Sequence, residues 1–312
     1  MATDWIIFID TNILLDFYRQ GGESVSRQTA AITRHKERII TGDQVRMEFL
    51  KNRQKVIKDA ASKLPKEEHY SFASLVAESQ PAKSISGHLK KLNAQKKKLR
   101  ARYSNILEKP AQYDPVYKAV REIFDFNGPC NLRRPDNLRF TIRNLAKKRF
   151  ALGYPPRKSN DTSIGDALNW EWIVHCARNS PTATGVMIVT RDEDFGTYYD
   201  RKMYLNDWLY REFRDRVSKK KEIQITAKLS EALRALDEVV NEQDERAEER
   251  LVTARLSGPR KSSLRSFEND MLEEAIRQFK SGEGIDEEIL EVILSDPKLV
   301  EMIFDDVPDD SR

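Results

Sequence analysis

The chain has 312 residues, 39% hydrophobic and 33% charged, enough for one large core or two. No run of about 18 apolar residues occurs, which excludes a membrane-spanning helix, and Cys130 and Cys176 lack the paired spacing of a disulfide framework or zinc ribbon. The net charge of +4 hides an asymmetry: Glu268 to Arg312 holds 15 acids and 4 bases, leaving residues 1 to 267 with 35 acids and 50 bases.

A basic body suits a polyanion, so nucleic acid is the expected partner. The acidic end suits a protein partner or a self-contact, and a homo-oligomer is compatible with the composition. Asp4 and Asp10 around a short apolar run do not make a signal peptide. With so few cysteines the expected location is the reducing cytoplasm.

In chain order, "IIFI" (6–9) reads as a fully buried strand of the kind found in parallel sheets. Helical spacing follows to about Arg19, and a second helix is expected over Glu23 to His35. "RIITGDQVRMEFLKNRQ" (38–54) repeats the pattern, with strand residues Ile39 and Ile40, a turn, and a helix for which Asp43 is the expected N-cap. Residues 55 to 150 read as a mostly helical insertion. Within it "KKLNAQKKKLRAR" (90–102) carries seven basic residues and no acid. Leu89, Leu92, Leu99, Tyr103 and Ile106 form a rough heptad seam there, interrupted by Lys96. The stretch is either a track for a nucleic-acid backbone or a solvated coiled-coil face.

Alternation resumes with a helix in "GYPPRKSNDTSIGDALNWEWIVHCA" (153–177), a buried strand in "GVMIVTRDEDF" (185–195) and a short strand in "KEIQIT" (221–226). Strands alternating with helices argue for an α/β fold with a mostly parallel sheet. Residues 227 to 251 read as one long helix, followed by a linker at 257–263 and an acidic helical module. The expected organisation is a domain over 1–226, with 55–150 inserted, and a helical C-terminal extension over 227–312.

Acids recur at the expected carboxyl ends of strands or on the helices that follow. Asp10 follows "IIFI", Glu48 lies on the helix after "RIIT", and Asp192 and Asp194 follow "GVMIVTR". Asp166 lies in the first turns of its helix among apolar neighbours. In open α/β sheets, sites form beyond the carboxyl ends of the strands. Carboxylates converging there repel one another, and a hard divalent cation such as Mg²⁺ or Mn²⁺ resolves that. Asp10 as a helix N-cap, and Glu48 as a solvent-facing acid, are the bland alternatives.

These segments resemble the PIN-domain nucleases. "FIDTNILLD" is similar to their first motif, Glu48 stands where the second acid is expected, "GDALNW" resembles the third motif and "VTRDEDF" the fourth. The likeness covers about residues 4 to 210. Around "GYPPRKSNDTSIGDALNWEW" it points to larger bacterial PIN-like proteins with a helical insertion and a C-terminal extension. It implies a three-layer α/β/α fold and metal-dependent cutting of phosphodiester bonds, most readily in single-stranded or structured RNA. The implied metal-binding acids are Asp10, Glu48, Asp166 and Asp192, with Asn12 orienting Asp10. Toxin, defence and RNA-processing roles are all compatible with it.

Further residues stand at the margin. Asp161 is either an N-cap or a site residue, and Asp194 lends an outer oxygen or only shapes a turn. Arg157, Lys158 and Arg191 are candidates for substrate phosphates, or simply loop charges. Trp170 and Trp172 read as core, and the four histidines are scattered. Two rival classes fare worse. An aspartyl-nucleophile phosphatase wants a second Asp where Asn12 stands, and a dinucleotide-binding domain wants a Gly-rich turn that is missing. A PIN fold that binds nucleic acid or regulates without cutting it, or that cuts DNA, is the remaining alternative.

Overall fold

A computed structural model describes residues 4–20, 22–157 and 163–257. Two units are distinguished, 1–252 and 253–312, and the second lies almost wholly outside the described residues. The first unit runs β1 (Trp5–Ile9), α1 (Thr11–Asp16), α2 (Gly22–Arg34), β2 (Ile39–Gly42), α3 (Asp43–Ser62), α4 (Ser74–Ala77), α5 (Gln80–Glu108), α6 (Pro110–Tyr113) and α7 (Pro115–Asp125). It continues with β3 (Asn131–Leu132), α8 (Leu138–Ala151), α9 (Gly165–Asn179), β4 (Gly185–Val189), β5 (Gly196–Tyr199), β6 (Lys202–Leu205), α10 (Asp207–Arg216), β7 (Glu222–Thr226) and α11 (Leu229–Ala235). The last described helix, α12, spans Glu242–Ser257.

Five strands form one parallel sheet in the order β3-β2-β1-β4-β7. β1 lies at its centre, and all five of its residues are buried. The apolar strands of the expected pattern thus occupy the middle of the sheet, where both faces are covered by helices. This is the three-layer α/β/α architecture. The core collects Phe8, Ile40, Phe49, Val120, Trp170, Ile173, Ile188 and Phe213. Among the described residues no helix is long and apolar enough to cross a membrane.

The helices between β2 and β3 are fastened by a buried charge pair. Arg53 of α3 and Asp114, at the N-cap of α7, have side chains 4% and 2% exposed, with Nη2 2.7 Å from Oδ2. Tyr18 donates its hydroxyl to Asp114 Oδ2 at 2.8 Å, Arg53 Nη2 donates to the Ile106 carbonyl at 2.6 Å, and the Tyr117 amide caps onto Asp114 Oδ1. Burial, then the charge of Asp114, pushes the Tyr18 phenol well up. A second buried network ties α8, α9 and α10: Arg149 bonds Glu171 and Glu212, and Arg216 bonds the same two acids.

Several expectations are corrected. Gly42 is the N-cap of α3 and Asp43 its first residue, so Asp43 serves the helix dipole and not the cap. The heptad seam holds only in part: Leu89, Tyr103 and Ile106 are half-buried, while Leu92 and Leu99 are each 45% exposed and Lys96 is buried, bonded to the Lys66 carbonyl and Glu68. The helix after β1 stops at Asp16. The long helix expected over 227–251 is broken between α11 and α12, where Asp237 takes φ 62°. The antiparallel hairpin β5–β6, turning at Asp200 and Arg201 with φ 45° and 61°, has no counterpart in the sequence reading. The linker at 257–263 and the acidic module lie, apart from Ser257, outside the described residues.

Asp114→Ala leaves a buried guanidinium without its counter-charge, and we expect a loss of about 3–5 kcal/mol in unfolding free energy by denaturant titration. The matching change at exposed Arg121→Ala should leave the midpoint where it was.

Candidate active site

The site begins with strand register. Ile9 of β1 lies opposite Val189 of β4, so the residues that leave the two strands, Asp10 and Thr190, emerge side by side. The Asp10 amide continues the ladder to the Val189 carbonyl at 3.0 Å. The Thr190 hydroxyl, fully buried, donates to Asp10 Oδ2 at 2.5 Å and accepts the Asp192 amide at 2.9 Å. Asn12 Nδ2 donates to the same Asp10 oxygen at 2.7 Å, and Asn12 Oδ1 accepts the Arg191 amide at 3.4 Å. One loop is thereby locked against the other.

Asp10 stands at the N-cap position of α1, but its side chain makes no helix-capping hydrogen bond. The capping reading therefore fails. Its carboxyl is pushed up to about 6, chiefly by burial; the Thr190 hydrogen bond pulls the other way, and the charges of Asp192 and Glu48 add to the rise. A carboxylate held in this way is costly to ionise and becomes cheaper beside a cation.

Glu48, one and a half turns into α3, is fixed through both oxygens. Oε1 accepts Gln44 Nε2 at 2.6 Å, and Oε2 accepts the Thr11 hydroxyl at 3.1 Å. It is held against the start of α9: a Cβ added at Gly165 would lie 2.6 Å from Glu48 Oε1 and 2.7 Å from Gln44 Nε2. A side chain there would have to push the Glu48 carboxylate and the Gln44 amide out of their present positions. The next residue is Asp166, and its carboxylate, with those of Asp192 and Asp194, forms a half-buried group whose oxygens lie within 4.8 Å of one another. The Asp194 amide donates to Asp192 Oδ1 at 3.4 Å. Acids from four chain segments are therefore drawn to the carboxyl end of the sheet.

The remaining candidates fare differently. Asp194 joins the cluster more closely than an outer oxygen would. Arg191 is not offered to a substrate: its side chain is 4% exposed and ion-paired with Asp16 of α1. Arg157 is exposed, with its guanidinium 4.6 Å from the centre of the Phe150 ring. Lys158 and Asp161 lie outside the described residues, and the N-cap position of α9 is Ile164. Trp170 and Trp172 are buried, as core residues should be. Thr190, Thr11, Gln44 and Gly165 are structural partners of the acids that residue type and position did not single out. The one visible hint was Thr190, a polar residue between an apolar strand and an acid.

The donor set consists of carboxylate oxygens with amide and hydroxyl support, and no thiolate or imidazole belongs to it. That chemistry fits a hard divalent cation of the Mg²⁺ or Mn²⁺ kind. Among the described residues, Asp166, Asp192 and Asp194 are the acids whose oxygens lie close enough together to hold one, and the Asp10 carboxyl feels the charges of Asp192 and Glu48.

A family model described as a PIN domain matches residues 7–195. No curated protein and no solved structure matches the chain.

The folded value of Asp10, about 6, lies above the ordinary 3.8. Between those pH values the native state holds a proton that the unfolded chain has released. The metal-free protein should therefore lose stability as pH rises from about 4 to 6, by up to about 3 kcal/mol from this group. Asp10→Asn should remove that slope and leave the metal-free protein more stable at pH 7, which chemical denaturation in EDTA would read directly.

Proposed function

Because the chain belongs to the PIN-domain family, whose fold is a nuclease fold usually dependent on metal, we propose that it is a divalent-metal-dependent endonuclease acting on single-stranded or structured RNA. The observation that supports this most is the convergence of Asp10, Glu48, Asp166 and Asp192, with Asp194, from four segments onto one end of the sheet. Such a cluster lowers the stability of the metal-free protein, and cation-assisted chemistry is what it is suited to.

In this reading the four acids hold Mg²⁺ or Mn²⁺. When bound, the ion supplies a water activated at neutral pH and charge stabilisation for the leaving oxygen of an in-line displacement. The chain's own residues do the positioning. Asn12 and Thr190 converge on Asp10 Oδ2 and fix the orientation of its carboxylate. Gln44 and Thr11 orient Glu48 in the same way. Thr190 links Asp10 to the Asp192 amide, so the two acids move as one unit. No serine, cysteine or histidine is needed as a nucleophile.

The rival is a PIN fold that binds nucleic acid without cutting it. It offers no account of why Asp10 and Glu48 are oriented by four separate side chains. A DNA substrate is the other alternative, since phosphodiester chemistry is common to both polymers.

Purified wild-type protein should cut single-stranded RNA with Mg²⁺ or Mn²⁺ and stop on addition of EDTA. Asp10→Asn and Asp166→Asn should each lower the rate at least about 100-fold, on the scale of losing a main electrostatic contribution. Equal cutting by these variants would overturn the site. A toxin or defence role further requires that expression of wild type, and not of Asp10→Asn, arrests growth.

A further inference from the structure

Clustered carboxylates repel the polyanion they are proposed to cut, so the strand must be held by cations elsewhere. The arginines nearest in sequence do not offer themselves: Arg191 is engaged by Asp16 and Arg157 lies on Phe150. A different cationic surface stands at the same end of the sheet. β3 is two places from β1 in the strand order and parallel to it. With neighbouring strands ~4.8 Å apart, the carboxyl end of β3 lies roughly 10 Å from that of β1, where Asp10 begins.

Beyond β3 the chain reads "RRPDNLRF" (133–140). A cleft of about 340 Å³ opens there, lined among others by Gly42, Arg46, Phe124, Arg133 and Arg134. Arg46 bonds one oxygen of Asp125 at 2.9 Å and Arg121 bonds the other at 2.8 Å, so two guanidiniums share one carboxylate and leave a surplus positive charge. Arg133 approaches Asp136 only to 3.7 Å. Arg134 is exposed and has no ion-pair or hydrogen-bond partner among the described residues. Asp43 also lines the cleft, but it sits in the first turn of α3, where the helix dipole offsets its charge.

The turn is rigid. Asp136 Oδ2 accepts the Arg133 amide at 2.8 Å, and Asn131 Nδ2 donates to the carbonyls of Phe124 and Phe126 at 2.8 and 2.7 Å. Phe140, the third residue of α8, is 52% exposed, with the Arg139 guanidinium 4.5 Å from its ring centre. Residues 133–148 carry six basic side chains and a single acid. The lysine-rich helix α5 competes less well: Lys96 is buried on Glu68 and Arg100 is paired with Glu67.

We propose that Arg46, Arg133 and Arg134 hold a backbone phosphate of a single-stranded nucleic acid in this cleft, and that a base of the same strand stacks on Phe140. The identity of the strand rests on the nuclease reading; the anion site rests on the arginines. Aromatic platforms beside cationic grooves favour unpaired strands, whose bases are free to stack.

The test is fluorescence anisotropy of a labelled single-stranded RNA oligonucleotide bound to the full chain carrying Asp10→Asn, over a range of KCl. Adding Arg133→Ala with Arg134→Ala should weaken binding about tenfold or more and reduce the salt slope by roughly 0.7, the value for one lost phosphate contact. Phe140→Ala should weaken it about fivefold or more with the slope unchanged, and Phe140→Trp should restore it. Arg134→Glu, at an exposed position, should do the same as the arginine pair with an unchanged melting temperature, which separates binding from folding. Parent-like affinity and slope in all of these, or a loss carried instead by Lys90, Lys91, Lys97 and Lys98 changed to Ala, overturns the proposal. If wild type never cuts but these variants still lose RNA, the nuclease reading falls and the cleft stands. If wild type cuts and the variants bind like their parent, only the cleft falls.

Discussion

The in-register parallel pairing of β1 with β4 is the constraint on which the acidic centre depends. A parallel ladder brings the same end of both strands to the same edge, and a slip of one residue would turn every side chain to the other face. Here the ladder ends at Ile9 and Val189, so Asp10 and Thr190 leave together and can share a hydrogen bond in a fully dehydrated place. The Thr190 hydroxyl then carries the order on to Asp192, and Asn12 closes the triangle. Precision at the site is thus inherited from the sheet and needs no long-range device of its own.

Much of this was legible in the sequence, for reasons that differ by element. β1, β2 and β4 are buried on both faces, so their apolar runs announce themselves, and an acid directly after such a run is conspicuous. β3 is two residues long and carries no periodicity; it exists because the Thr41 amide finds the Cys130 carbonyl and the Trp172 indole bonds the same edge. The β5–β6 turn uses Asp200 and Arg201 at positive φ, where glycine or asparagine would have signalled a hairpin. Lys96 reads as solvated by type, and is buried because the Lys66 carbonyl and Glu68 meet its ammonium group. Local pattern cannot reveal a partner thirty residues away.

The site shows the same division. The acids were visible because charge beside an apolar run is a local contrast. Their orienting partners were not, since a hydroxyl or amide becomes meaningful only once folding brings it within about 3 Å. Arg191 shows the converse error: adjacency to an acid suggested a phosphate ligand, while Asp16, 175 positions earlier, had already taken its charge. Gly165 was legible only as a small residue before a helix, although its missing Cβ leaves the room that the Glu48 carboxylate and the Gln44 amide occupy.

One contact outside the site bears on how the chain reaches its working form. Glu248, with none of its surface exposed, accepts the amides of Leu229 and Ser230 at the start of α11, 2.5 and 3.0 Å away. A helix ordinarily finds that cap in the residue just before it, but Lys228 cannot provide one. During synthesis, therefore, the layer that covers β4 and β7 lacks its first-turn partner until residue 248 has emerged. A body that could otherwise close once β7 is made instead completes itself some twenty residues later. A truncation placed at the end of the sheet would remove the cap along with the sequence that looks dispensable.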